Sequence, residues 1–348
     1  MPRADSFGTG HPSFPSTYGD PTEQPPAPAA RKFESMSPDP RRPDVSVVVC
    51  TRDRADLLSR SLETIITSMR VTELDVELVV VDNGSTDRTA SVLSELRRGN
   101  PELSVVAEQT AGIARARNAG LSAARGRAVL YTDDDTEVPP DWIPKMASPL
   151  LSGAADAVAG GVVMAPELER DWMTPDLRSK YFADNPRPPA VNPGMAGANM
   201  GVTAEVAEEF RFDEALGTPA YPGSEDVVFY VQILEAGKRI VGVPDAAVEH
   251  HFDPGRLTSE RLRSLARGYG RCDAFLFHHW LHSELGHQRA RLAWHVAQLR
   301  GRALTHRRNP FDETTLRLER EVAFHREMLR LRGTPRRYAY RGLRLLDA

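Results

Sequence analysis

From residue 45 onward the chain alternates short apolar runs with helical stripes. Val45 to Cys50 (VSVVVC) is an unbroken, mostly β-branched run, the pattern of a strand covered on both faces in a parallel sheet. Asp56 to Met69 then sets Leu57, Leu58, Leu62, Ile65, Ile66 and Met69 at helical spacing, and Val76 to Val81 (VELVVV) supplies a second buried strand. The turn Asp82, Asn83, Gly84, Ser85 follows. Thr86 or Asp87 is placed to cap a helix running to about Arg98, which Gly99, Asn100 and Pro101 stop. Ser104 to Ala107 predicts a short strand, Ile113 to Ala124 a helix of small residues, and Arg127 to Thr132 (RAVLYT) another apolar strand. This alternation predicts an α/β fold with an open, mostly parallel sheet flanked by helices. In such sheets ligands lie beyond the carboxyl ends of the strands, where the polar residues after Cys50, Val81 and Thr132 all fall.

From Pro139 to about Tyr221 prolines and glycines interrupt shorter apolar pieces such as Val158 to Met164. A helix returns over Glu225 to Ala236, closed by Gly237, and Arg239 to Val243 reads as a strand. Beyond Ser259 the pattern is helical, with an Arg-laced amphipathic stretch from Glu313 to Leu331. Residues 1–43 hold ten of the 27 prolines and no apolar stripe, which predicts a disordered arm. Three parts are therefore expected: the arm at 1–43, an α/β domain at 44–258 and a helical extension at 259–348.

Composition narrows the classes. With 41% apolar and 26% charged residues in 348, the chain has enough apolar surface for a large core. Its longest nearly uncharged apolar run, Ala157 to Ala165, is too short for a membrane-spanning helix of roughly 18 residues. No apolar h-region follows Met1, so a secretory signal is not expected. Two cysteines exclude a disulfide framework and a four-thiolate zinc site, and they suit a reducing cytoplasm. The net charge of −4 conceals an asymmetry: Leu281 to Ala348 carries fifteen Arg against seven acids, +8, which leaves −12 on the first 280 residues. Such a tail can face anionic membrane or nucleic acid, or it can pack against the acidic body.

The string Tyr131, Thr132, Asp133, Asp134, Asp135 puts three mutually repelling carboxylates just past a buried strand, and a divalent cation is the simplest reason for it. Strand alternation would turn Asp133 and Asp135 to one side and Asp134 to the other. Few hard oxygen ligands suit Mg²⁺ or Mn²⁺, with the shell completed by a diphosphate and water.

Over Val45 to about Asp253 the chain resembles a family 2 glycosyltransferase with the GT-A fold. The resemblance rests on VSVVVCTRDRADLL, VVVDNGSTDRT, GIARARNAGLSAARG, VLYTDDDTEVPPDW, GANMGVTAEV, GSEDVVFYVQILEAGKRI and VPDAAVEHH, in that order. It implies an inverting, metal-dependent transfer of a sugar from a nucleotide-sugar to a hydroxyl acceptor, lipid-linked or otherwise. The family's acidic triplet falls on Asp133, Asp134 and Asp135, with Asp135 the best single metal ligand and Asp134 beside the donor. Its nucleotide-binding strand end falls on Thr51, Arg52 and Asp53, and its base-contacting turn on Asp82 and Asn83. Where many members carry two acids there, this chain has Asp then Asn, which both donates and accepts hydrogen bonds. Arg115 and Arg117 fall where diphosphate contacts or structural contacts are expected. Glu225 and Asp226 match the acidic pair at the acceptor side, Asp226 corresponding to the general base. His250 falls where a histidine often completes the metal shell, with His251 next to it. Gly197, Ala198, Asn199 and Met200 match the loop under the acceptor, and Trp142 either stacks on a sugar or fills the core.

Two alternatives remain at this level. A nucleotidyltransferase also uses metal-bound acids in an α/β nucleotide fold, although CTRDRADLL lacks the Gly-rich loop usual there. A non-catalytic nucleotide-sugar-binding scaffold would keep the fold and work through the basic tail. The cysteine count and the lack of a signal lead to the expectation of a cytoplasmic protein, peripheral on the inner membrane face if the tail docks there, with no nucleic acid as partner.

Overall fold

The computed structural model describes residues 42–283, 286–305 and 312–338. Apart from Arg42 and Pro43, the arm expected at 1–43 lies outside the described residues, as do Arg307, Arg308, Arg341 and Arg344 of the basic tail. The first half follows the expected alternation: β1 (Val45–Thr51), α1 (Ala55–Val71), β2 (Val76–Asp82), α2 (Thr89–Gly99), β3 (Leu103–Ala107), α3 (Ile113–Ala123) and β4 (Ala128–Asp133). Helix α2 begins at Thr89 because Asp87 Oδ1 accepts from the Thr89 amide (2.9 Å) and hydroxyl (2.5 Å).

The second half comprises β5 (Thr136–Glu137), α4 (Trp142–Leu151), β6 (Ala157–Met164), α5 (Pro175–Phe182), β7 (Asn199–Thr203), α6 (Ala204–Glu209), α7 (Glu225–Glu235) and β8 (Ile240–His250). Helix α4 is not legible from periodicity because prolines punctuate it. Pro144 sits in its first turn, where a missing N–H costs no bond, and Pro149 sits in its last.

All eight strands join one sheet in the order β3-β2-β1-β4-β7-β6-β8-β5. Strands β3, β2, β1 and β4 are parallel, as expected. The other half is mixed: β7 is antiparallel to β4 and β6, while β8 is parallel to β6 and antiparallel to β5. Alternation along β1 divides the core between the two faces. Val45, Val47 and Val49 pack with Leu58, Leu62 and Ile65 of α1 and with Trp142 and Met146 of α4. Val48 and Cys50 pack with Ala114 and Leu121 of α3 and with Phe229 and Ile233 of α7. The small residues of α3 let it lie close on the sheet; a Cβ at Gly120 would stand 2.4 Å from Val48 Cγ1.

The carboxyl-terminal part is helical: α8 (Ser259–Phe275), a π-helical turn at Leu276–Trp280, α9 (Gln288–Thr305) and α10 (Glu313–Leu331). Leu262 and Ala266 of α8 and Leu316 of α10 share a cluster with Met164, Phe182 and Phe252. Arg320 donates to both Asp273 carboxylate oxygens (2.6 and 2.9 Å), joining α10 to α8. Arg337 (2.9 Å) and the Tyr338 hydroxyl reach Asp213, so this part of the tail's charge is spent on the acidic body. Helix α9 differs: none of its described side chains is fully buried, and Trp294 is 64% exposed. Among the described residues no helix is long and apolar enough to cross a membrane.

Candidate active site

Parallel register sets three strand ends level. Thr51 of β1 pairs with Asp82 of β2, and Cys50 with Asp133 of β4. The loops leaving these ends are tied to one another. Asp53, in the left-handed region at φ 52°, accepts from the Thr86 amide (2.6 Å) and hydroxyl (3.1 Å), and its own amide donates to Ser85 Oγ (3.0 Å). The Thr86 bonds hold the exposed Asp53 carboxyl below its usual range. Asp82 Oδ1 accepts from the Ser85 amide (2.9 Å), and Arg52 stays exposed beside Asp53. The Thr51 side chain is buried beneath them.

Asn83 behaves differently from the expectation that it meets the nucleobase. Its Nδ2 donates to the carbonyls of Glu108 (3.1 Å) and Thr110 (2.8 Å), and its Oδ1 accepts from the Gly112 amide (2.8 Å). Every polar atom of this buried side chain is spent on clamping the segment that leads into α3.

The acidic triplet also departs from strand alternation. Strand β4 stops at Asp133 and the next two residues turn, so Asp134 and Asp135 come together rather than apart. Both accept from one nitrogen of Arg54, at 2.9 and 2.6 Å, while Asp133 faces Arg117 at 3.3 Å. Arg54, at the start of α1, went unrecognised in the sequence; three adjacent acids without a nearby cation were its only signal. Burial pushes the Asp134 carboxyl up to about 7, Arg54 notwithstanding. Burial also opposes ionisation of Asp135, but His250 and Arg54 outweigh it and hold that carboxyl below the usual range.

The antiparallel pairing of β5 with β8 sets Thr136 opposite His250, which brings His250 to Asp135. His250 Nδ1 donates to the Phe182 carbonyl (3.2 Å), which leaves Nε2, 3.4 Å from Asp135 Oδ1, to share either a proton or a cation with that carboxylate. Adjacent ligands on an octahedral cation with bonds of about 2.1 Å stand about 3.0 Å apart, so these two residues fit one divalent cation. His251 faces a different set: Glu167 (2.9 Å), Glu249 (2.8 Å) and Glu137 (3.4 Å).

On the acceptor side, Glu225 and Asp226 open α7 after Ser224, which is left-handed (φ 67°) and makes no side-chain cap. Glu225 is buried, and its Oε1 takes Arg117 Nη1 at 2.5 Å. Burial and the charge of Asp226 push the Glu225 carboxyl up to about 7, against the pull of Arg117. Arg117 is itself buried, between Glu225 and Asp133, with Phe212 under its guanidinium (5.7 Å). It therefore has no face for a diphosphate. Arg115 pairs with Glu214 at 2.7 Å. Asp226 is half-buried; its Oδ2 accepts from the Gly197 amide (3.1 Å) and its Oδ1 from the Val227 amide (2.8 Å). Only glycine fits at 197, since a Cβ there would stand 1.9 Å from Arg117 Nη2.

Four expected acceptor-side residues, Ala198, Asn199, Met200 and Trp142, turn inward. Ala198 is buried and its carbonyl accepts from the Thr132 hydroxyl (2.9 Å). Asn199 and Met200 belong to β7, not to a loop. Asn199 is fully buried, donating to the carbonyls of Gly161 (2.8 Å) and Ala246 (2.7 Å) and accepting from Trp142 Nε1 (2.9 Å). Trp142 is 0% exposed, so neither ring face can meet a sugar. Burial also pushes the Cys50 and Cys272 thiols up to about 12, which leaves both cysteines inert.

A parallel half-sheet with acids at its carboxyl ends, completed by a mixed half that brings in a histidine and a helix-opening acid pair, is the GT-A type of α/β fold. Residues 46–211, just under half of the chain, match the model of Glycosyl transferase family 2, which supports a family 2 glycosyltransferase. The succinoglycan biosynthesis protein ExoO of Rhizobium meliloti is 30% identical over 236 residues, which is 62% of this chain and 63% of that protein. This chain thus matches just under two thirds of that relative's length. The undecaprenyl-phosphate 4-deoxy-4-formamido-L-arabinose transferase of Proteus mirabilis is 32% identical over 111 residues, 31% of this chain and 34% of that one. Among solved structures, the mannosyltransferase PcManGT from Pyrobaculum calidifontis, in complex with GDP-Man and Mn²⁺, shares the fold. Its TM-score is 0.55 at 20% identity, over 83% of this chain and 87% of that one.

Proposed function

We propose that the chain is an inverting, metal-dependent glycosyltransferase acting on a nucleoside-diphosphate sugar and a hydroxyl acceptor. The observation that carries this reading is Asp226, a half-exposed carboxylate oriented by two backbone amides and joined to the β4 acids through Glu225, Arg117 and Asp133. Asp226 Oδ2 takes the acceptor proton as that oxygen attacks the anomeric carbon, and a single displacement inverts the centre. Glu225 and Arg117 are positioning residues that fix the opening of α7. Arg52, Asp53 and Asp82 contact the nucleotide from the strand ends. Asp135 and His250 would hold a Mg²⁺ or Mn²⁺ ion, which when bound neutralises charge developing on the diphosphate leaving group. The catalytic domain in this reading is 44–258, and 259–348 is an extension on it.

The extension offers a surface for the acceptor's side of the reaction. Trp294 is exposed on α9 together with Arg289, Arg291 and Arg300, and no acid lies between residues 286 and 305. An aromatic side chain among arginines suits the interface of an anionic membrane, where a lipid-linked acceptor resides. Sedimentation with anionic vesicles at low salt, lost at high salt and with neutral vesicles, is the expected result. Equal sedimentation with both vesicle types contradicts it.

A panel of nucleotide-sugars scored for Mn²⁺-dependent thermal stabilisation identifies the donor. Incubating that donor with acceptor extracts then separates the readings. Release of a nucleoside diphosphate with an inverted product supports the transferase. Pyrophosphate release from a nucleoside triphosphate and a sugar phosphate indicates a nucleotidyltransferase, and donor binding without turnover indicates a scaffold.

A further inference from the structure

Helix α9 has little apolar surface holding it in place. Its inward positions are the half-buried Leu292, Val296 and Leu299, interleaved with polar Gln288, His295 and Arg302, and no described side chain of the helix joins the buried core. At the centre of this seam, ligand atoms of His295 on α9 and of Glu321 and His325 on α10 all lie within 4.8 Å of one another. Glu321 and His325 stand one turn apart on the same face of α10, with side chains only 13% and 3% exposed.

Two features make this seam more than a chance meeting of polar side chains. His325 Nδ1 donates to Gln288 Oε1, which assigns the ring proton to Nδ1 and turns the Nε2 lone pair toward the Glu321 carboxylate, 3.6 Å away. The Nε2 lone pair and the Glu321 carboxylate are both ligand donors that a single cation can share. The His295 ring stacks on His325 at 5.3 Å and 14°, which brings a second imidazole to the same carboxylate. One neutral imidazole oriented through its other nitrogen is the usual state of a metal-ligating histidine.

We propose that His295, Glu321 and His325 bind a divalent transition cation of the Zn²⁺ class, which clips α9 to α10. Two imidazoles and one carboxylate supply three ligands of a four-coordinate site, with water as the fourth. A tetrahedral ion with bonds of about 2.0–2.1 Å draws its ligand atoms to about 3.3 Å apart, a contraction that side-chain rotation can provide. Gln288 is a positioning residue for His325, and the exposed face of α9 with Trp294 stays free.

The test uses the full chain, stripped with EDTA and titrated with Zn²⁺, then with Co²⁺ as a visible probe. Beside any ion taken by Asp135 and His250, the proposal expects one further equivalent that raises the melting temperature and, as Co²⁺, gives the intense visible bands of four-coordination. His295→Ala, at a half-buried position, and the near-isosteric Glu321→Gln should each remove that equivalent, while Asp135→Ala and His251→Ala keep it. Gln288→Ala should weaken affinity about 10–100-fold without removing the site. Glycosyl transfer by His295→Ala in Mn²⁺ should match wild type. If His295→Ala and Glu321→Gln, both still folded by circular dichroism, bind the same equivalents with the same Co²⁺ spectrum, the proposal is overturned. If the stripped wild-type chain takes up no such equivalent, the proposal is likewise overturned.

Discussion

Replacing Arg117 by methionine removes the cation between Glu225 and Asp133 while keeping most of the buried volume. Breaking a buried ion pair from one side costs about 3–5 kcal/mol, because the remaining charge loses its partner without regaining water. Glu225 can recover part of that cost by taking up a proton. Its carboxyl already stands at about 7, raised from an ordinary 4.5 by burial and by Asp226 against the pull of Arg117, and without Arg117 it rises further. An acid whose folded pKa exceeds its unfolded one keeps the proton on folding, so its contribution to stability falls as pH climbs from about 4.5. The fall ends above the folded pKa. In wild type it ends near pH 7; in Arg117→Met it continues at about 1.4 kcal/mol per pH unit. The stability gap between the two proteins should therefore be smallest near pH 5.5 and should widen by about 1 kcal/mol from pH 7 to 8. That is a melting-temperature gap growing by about 2 °C. Thermal denaturation followed by circular dichroism at pH 5.5, 7 and 8 reads it. Arg117→Met combined with Glu225→Gln, which cannot ionise, should return the pH 8 loss. A gap independent of pH, or a double variant no more stable at pH 8 than the single one, would refute the claim that Arg117 exists to compensate Glu225.

Three further outcomes are expected. Asn83→Asp points a carboxylate at the Glu108 and Thr110 carbonyls and should cost about 1–3 kcal/mol in thermal denaturation. It should leave the order of preference among nucleobases unchanged in a donor panel, because Asn83 does not face the donor. Trp142→Phe strands Asn199 Oδ1 in the core and should likewise cost about 1–3 kcal/mol, with the acceptor KM unmoved. Asp226→Asn should retain donor-dependent thermal stabilisation while transfer falls about 10²–10⁴-fold, and wild-type transfer by this variant would remove Asp226 as the base.

Strands β1, β2 and β4 were legible because a strand buried on both faces writes itself as a nearly unbroken apolar run, as VSVVVC and VELVVV do. Parallel neighbours then follow from the intervening helices. Strand β7 escaped because Asn199, Gly201 and Thr203 dilute its apolar pattern, and because the reason for Asn199 lies in Gly161, Ala246 and Trp142, all far away in the chain. The candidate site was legible as a set of residue types, since Asp133–Asp135, Asp226 and His250 all lie at element ends. Its wiring was not. Whether Arg117 meets a phosphate or a buried glutamate, and whether Asn83 reads a base or braces a loop, depends on contacts separated by tens of residues. Spacing along a strand also misled at Asp134, because the turn that ends β4 lies one residue earlier than alternation assumes. The +8 tail proved to be two things: α10 with the residues that follow it, whose Arg320 and Arg337 pair with acids of the first 280 residues, and α9, whose Arg289, Arg291 and Arg300 face outward.

The central claim is that a nucleotide-sugar is held at the carboxyl ends of β1, β2 and β4 with the help of a cation on Asp135 and His250. The most direct measurement is thermal stabilisation of wild type, Asp135→Ala and His250→Ala by the donor found in the panel, with Mn²⁺ and with EDTA. At a donor concentration about 100 times Kd, wild type should gain about 2.7 kcal/mol, or about 5 °C, in Mn²⁺, and most of that gain should vanish in EDTA. Both variants should lose the Mn²⁺-dependent part while keeping their own folded baseline. A donor shift of the same size in wild type and Asp135→Ala, with or without Mn²⁺, would contradict the account.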